Sequence, residues 1–174
     1  MRDYLLDSKK FLSAEENEYL ATRLKRDDGR DSTILLLLLT YGMRSGELLK
    51  LRLKDINLSN RSIMIYGSKD SRSREFPLTK YLFDRLWTEA KKCSSPGSRV
   101  FDIGYNRLGD IWRIWRPSDK PLHCLRHSAA IRIYQETKDI QLVQQILGHR
   151  YLGNTMIYQQ FVYTQDKMRQ VFHV

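Results

Sequence analysis

Six consecutive apolar side chains, Ile34 to Leu39, stand between Thr33 and Thr40. The run is far too short to span a bilayer. Wound into a helix it is apolar nearly all round, which predicts a mostly buried helix over Ser32–Tyr41. The chain has 174 residues, 41% of them apolar, which is enough for one domain with a real hydrophobic core.

Other elements are legible around that helix. Ser13-Ala14-Glu15-Glu16 has the spacing of a capping box and opens a helix running to about Lys25. Asp27-Asp28-Gly29 breaks the pattern, and Gly42 interrupts it again before a helix start at Ser45–Leu51. The period then changes to that of strands. Residues 62–66 read as a strand, 67–71 as a turn and 74–78 as the returning strand, giving a β-hairpin with a basic tip of Lys69, Arg72 and Arg74. Helical spacing resumes over 79–92, and after a Ser/Pro/Gly loop it predicts helices at 106–116, 125–136, 140–147 and 154–162. The expected fold class is therefore mainly α with one small antiparallel β-sheet (α+β). Nothing in the sequence suggests a parallel α/β sheet or a glycine-rich phosphate loop.

Lys plus Arg number 30 against 20 Asp plus Glu, a formal charge of +10. That excess favours a polyanionic partner, with nucleic acid ahead of an anionic membrane surface. Cys93 and Cys124 are the two cysteines and have neither CxxC nor zinc-ligand spacing. No disulfide framework, metal site or cofactor is expected. The polar start Met1-Arg2-Asp3-Tyr4 is unlike a signal peptide. The expected location is cytoplasmic, on the nucleoid when bound to DNA.

Three short motifs carry the chemistry. Arg44 follows the buried helix in Gly42-Met43-Arg44-Ser45-Gly46-Glu47, with Glu47 placed to orient its guanidinium. Alone, the pair reads first as a local surface contact. His123 and Arg126 share a helix face in His123-Cys124-Leu125-Arg126-His127, and the adjacent His127 is expected to point elsewhere. Leu147-Gly148-His149 puts Gly at a helix C-cap and a histidine after it. Tyr158 follows His149 by nine residues and competes with Tyr151 and Tyr163. Arginines can hold phosphate oxygens, histidines can move protons, and a tyrosine can attack phosphorus, so together they suit metal-free phosphodiester chemistry. A phenol has an ordinary pKa of about 10 and needs cations or a base beside it to react at neutral pH. Lys69 at the hairpin tip is either such a cation or a plain turn lysine.

In this order and at these spacings the residues resemble the tyrosine recombinases, the phage-integrase type of site-specific recombinase. The likeness covers nearly the whole chain. It departs in having Tyr41-Gly42 where the family usually has Thr-Gly. It also departs in lacking the N-terminal core-binding domain that full-length members commonly carry, so 1–174 is expected to be a single catalytic domain. The resemblance implies the integrase catalytic-domain fold and a 3′-phosphotyrosyl intermediate. It implies Tyr158 as nucleophile, Arg44 and Arg126 on the phosphate oxygens, Lys69 as acid to the leaving 5′-oxygen and His123 as base toward Tyr158. It further implies His149 on a phosphate oxygen, Glu47 in support, and Arg72 and Arg74 as DNA contacts. The implied partners are double-stranded DNA and further copies of the chain in a tetramer on DNA, with room for accessory directionality factors and no role for a membrane. In the family the C-terminal segment often docks on a neighbouring protomer. Phe161, Met168, Val171 and Phe172 suit that docking or folding back onto their own domain. Two other functions share these features: type IB topoisomerase-like relaxation, and DNA binding without catalysis by an integrase-derived regulator.

Overall fold

The computed structural model of the chain describes residues 6–67 and 71–161. Lys69, Tyr163 and the tail positions Met168, Val171 and Phe172 lie outside the described residues.

The apolar run forms the centre. Helix α2 (Arg30–Tyr41) buries Ser32 through Leu39, and α1 (Ala14–Lys25), α4 (Lys80–Ala90) and α6 (Cys124–Thr137) pack around it. Ile34, Leu35 and Leu37 are fully buried, and each such side chain stabilises the fold by about 1.5–3 kcal/mol. The capping box on α1 is made: Ser13 Oγ accepts from the Glu16 amide at 3.2 Å and Glu16 Oε2 accepts from the Ser13 amide at 2.8 Å. The buried Arg85 on α4 stitches these helices together by donating to Leu24 O, Asp27 O, Thr33 Oγ1 and Ser32 Oγ.

The sheet has three antiparallel strands in chain order, β1 (Ile56–Asn57), β2 (Ser62–Ile65) and β3 (Arg74–Pro77). Ile63 pairs with Phe76 on one side and Ile56 on the other, so its apolar face closes on the helices. The expected hairpin is present, and β1 adds a third strand to it.

Helices α3 (Ser45–Leu48), α5 (Tyr105–Trp115) and α7 (Ile140–Leu147) match the sequence expectation closely, although α3 is a single turn. The expected helix over 154–162 is instead α8 (Gly153–Met156) followed by a 3-10 turn, Gln159–Phe161. This broken segment folds across α6. Tyr158 thereby joins a second buried cluster with Leu6, Ala130, Ile131, Tyr134, Val143 and Leu147. No helix among the described residues is long and apolar enough to cross a membrane.

Candidate active site

Two glycines with left-handed backbone bring the motifs together. Gly42 (φ +62°) ends α2, and a Cβ there would stand 3.0 Å from Ala129 Cβ and 3.2 Å from Leu147 Cδ2. Gly148 (φ +71°) ends α7 and faces the return leg of the hairpin, where a Cβ would meet Arg74 Nη1, Ser71 Oγ and Arg72 O within 2.9 Å. Two close backbone approaches result, α2 end to α6 and α7 end to hairpin.

Arg126 is buried where those approaches meet. Its guanidinium donates to Gly42 O at 2.7 Å, to Leu147 O at 2.8 Å and to His149 Nε2 at 2.9 Å. The two carbonyls belong to the C-terminal ends of α2 and α7, which carry partial negative charge and suit a cation. Burial, and then the charge of Arg44, pushes the Arg126 pKa down to about 9, which leaves it charged at neutral pH.

His149 is buried between Arg126 and the fully buried Thr155, whose Oγ1 lies 2.9 Å from His149 Nδ1. A guanidinium can only donate, so Nε2 accepts and the proton sits on Nδ1, which donates to Thr155. Burial, followed by the Arg126, Arg44 and Arg74 charges, lowers the His149 pKa to about 3, so the ring is neutral.

Glu47 holds two arginines. Its Oε1 is 3.3 Å from Arg44 Nη1, its Oε2 accepts from Arg74 Nη2 at 2.8 Å, and Oε2 also takes the Arg44 amide at 3.3 Å. Burial alone would raise the Glu47 pKa. The hydrogen bond and charge of Arg74, with Ser71 and the Arg44 amide, outweigh it and hold the carboxyl below its ordinary value. The Arg44 side chain keeps 30% of its surface exposed, so it can still meet a ligand.

Arg74, expected among the DNA contacts, is instead tucked inward with 7% of its side chain exposed. Besides Glu47 it donates from Nε to Ile146 O at 2.6 Å and from Nη1 to Arg72 O at 3.1 Å. The Arg72 amide donates to Gly148 O at 2.9 Å and Ser71 bridges to His149, so the hairpin leg is sewn to the end of α7. The Arg72 side chain is exposed beside it.

His127 points away from Arg126, as expected, and makes the tyrosine contact that the resemblance implied for His123. His127 points at Tyr158: its Nδ1 stands 2.9 Å from the phenol oxygen, while Tyr158 is only 1% exposed. His123 meets the His127 ring edge-on at 4.8 Å. Desolvation by its surroundings, then the Arg126 and Arg44 charges, lowers its pKa. Burial, then His123, Arg126 and Lys10, lowers the His127 pKa to about 4. The hint in the sequence was the 100° turn between neighbouring helix positions: one faces the arginine pocket, the next faces whatever crosses α6.

Arg126 is hydrogen-bonded to His149, Glu47 pairs with Arg44 and Arg74, and Tyr158 contacts His127, the residue after Arg126, so three separated motifs are joined through α6. Residues 10–164 match the sequence model of the Phage integrase family. The chain belongs to that family.

Phage integrase relatives include tyrosine recombinase XerA of Thermococcus kodakarensis, 31% identical over 161 residues, which cover 86% of this chain and 57% of that protein. Tyrosine recombinase XerC of Histophilus somni is 27% identical over 165 residues, covering 86% of this chain and 56% of that protein. The chain therefore spans a little over half the length of these relatives. Among solved structures, XerA recombinase superposes with a TM-score of 0.72 at 22% identity, covering 98% of this chain and 65% of that one. The catalytic domain of bacteriophage HP1 integrase gives 0.66 at 23% identity, covering 93% and 94%. XerH site-specific recombinase bound to its difH substrate, in a pre-cleavage complex, gives 0.69 at 25% identity, covering 92% and 52%. The mainly helical fold with a small antiparallel sheet is that of integrase catalytic domains.

Proposed function

We propose that this chain is the catalytic part of a site-specific DNA recombinase, which cleaves and rejoins duplex DNA through a 3′-phosphotyrosyl intermediate. The observation that supports it most is the Arg126 junction, which ties the end of α2 just before Arg44 to the Gly148-His149 turn, while the adjoining His127 contacts Tyr158. Family membership and the DNA-bound XerH relative point the same way.

In this reading a scissile phosphate sits against Arg44 and Arg126, whose charges stabilise the non-bridging oxygens as negative charge builds. His123, beside His127, adjoins the same phosphate, and His149 holds Arg126 in place through Nε2. Tyr158 attacks phosphorus and the 5′-oxygen leaves, protonated by Lys69. The ester conserves the bond energy, so a second 5′-hydroxyl can reverse the step. No metal or cofactor is required by these roles. The +10 charge, with the exposed Arg72 beside the site, supplies attraction to the DNA backbone. The working assembly is a tetramer on two duplexes, open to accessory factors.

The test is covalent capture. A nicked duplex, selected for binding from a randomised pool, is incubated with the protein and run on a denaturing gel. Wild-type protein forms a protein–DNA adduct and Tyr158→Phe forms none. Relaxation of supercoiled plasmid without site dependence would favour a topoisomerase-like activity instead.

A further inference from the structure

We infer that His127 is a catalytic residue that takes the proton of Tyr158 during attack on the phosphate. The inference rests on Tyr158 being the nucleophile and adds the group that receives its proton.

Geometry selects His127 over the other histidines. His127 Nδ1 is 2.9 Å from the phenol oxygen, within proton-transfer reach. His149 has no nitrogen to offer: Nε2 is taken by Arg126 and Nδ1 carries the proton given to Thr155. His123 stands behind the His127 ring, edge to face. The phenol is buried, so bulk water does not take the proton directly.

The titratable and charged groups facing His127 are Arg126 from α6, His123 at the N-cap of α6, and Lys10 from the 3-10 turn Ser8–Lys10. They and burial keep the ring neutral, and in the tautomer with the ring proton on Nε2 the Nδ1 lone pair faces the phenol. The same surroundings make it a weak base while the site is empty. A phosphodiester bound between Arg44 and Arg126 brings negative charge beside His127, and more builds in the transition state, which raises the ring's affinity for a proton. The step balances. The Tyr158 O–H bond breaks with its proton going to Nδ1, and the phenol oxygen bonds to phosphorus. The bond from phosphorus to the 5′-oxygen then breaks, and that oxygen takes a proton from the acid assigned to Lys69.

The experiment uses the full chain, the nicked duplex and single-turnover cleavage. His127→Asn keeps a polar group near the Nδ1 position but cannot take a proton, and its rate is expected to fall on the order of 10²–10⁴-fold. The deciding readout replaces Tyr158 with 3,5-difluorotyrosine, whose phenol is more acidic and needs a base less. The loss on His127→Asn then shrinks by at least about tenfold, whereas a purely structural loss keeps its size. His127→Gln gives a second measure of the same ratio should the Asn variant unfold. An equal loss with both phenols, or shrinkage on His123→Asn instead, overturns the assignment to His127. Absence of any adduct from the otherwise wild-type protein with either phenol would overturn the nucleophile itself, a distinguishable result.

Discussion

The Arg126 guanidinium donates to His149 Nε2 at 2.9 Å, and this one bond decides which nitrogen of the imidazole carries its proton. The Nδ1–H that follows needs a buried acceptor, and Thr155 Oγ1 supplies it. Thr155→Val leaves that donor unpaired and is expected to destabilise the protein by about 1–3 kcal/mol in urea unfolding. Thr155→Ser keeps the oxygen and stays close to wild type on that pair. Equal stability of the two variants would show that the donor finds another partner.

Glu47 is the acceptor shared by Arg44 and Arg74. Glu47→Gln removes the charge facing a buried Arg74 and is expected to cost about 3–5 kcal/mol. The pH signature has a definite sign. The folded carboxyl lies below its ordinary value of 4.5, so its contribution is present above that pH and is lost as pH falls through the lower folded value. Stability curves for wild type and Glu47→Gln therefore converge in acid. A gap that stays constant down to the acid transition would contradict the pairing.

The histidines act at milder pH. His149 and His127 drop from 6.5 to about 3 and about 4 in the folded protein, so the unfolded chain binds more protons below about pH 6.5. Stability accordingly falls as pH is lowered from 6.5, by about 1.4 kcal/mol per pH unit for each such proton. The loss levels off below the folded values. Urea unfolding at one temperature, measured between pH 7.5 and 5, gives the slope directly, and a flat profile would refute it.

Gly148 and Gly46 make a matched pair. Gly148 has φ +71° and faces Arg74, Ser71 and Arg72 within 2.9 Å of an added Cβ, whereas Gly46 lies in α3 with nothing within 4 Å. Gly148→Ala is expected to lose about 1–3 kcal/mol and to cut cleavage by displacing the hairpin leg. Gly46→Ala is expected to be neutral or slightly stabilising. Similar effects at both positions would contradict the close approach at Gly148.

Much of this was legible in the sequence because local rules and the fold agree. The capping box at Ser13, the all-round apolar α2 and the Gly148 C-cap each depend on neighbouring residues alone. Strand β1 is two residues long, too short for alternation to show, and it exists because Ile56 pairs with Ile63. The inward turn of Arg74 and the His127–Tyr158 contact depend on segments far apart in the chain, 72 residues for Arg74 to Ile146 and 31 for His127 to Tyr158. Residue spacing within one helix cannot tell which neighbouring segment will cross it. For that reason the sequence showed that His127 points away from Arg126 but not that it meets Tyr158, a contact made by the crossing of α6 by 153–161.

The central claim is that Tyr158 forms the bond to DNA. Covalent adduct trapped on the nicked duplex can be digested with protease and nuclease and the peptide that carries the nucleotide sequenced by tandem mass spectrometry. A 3′-nucleotide on Tyr158 is the predicted result, and a nucleotide on Tyr151, Tyr163 or any other side chain would contradict it.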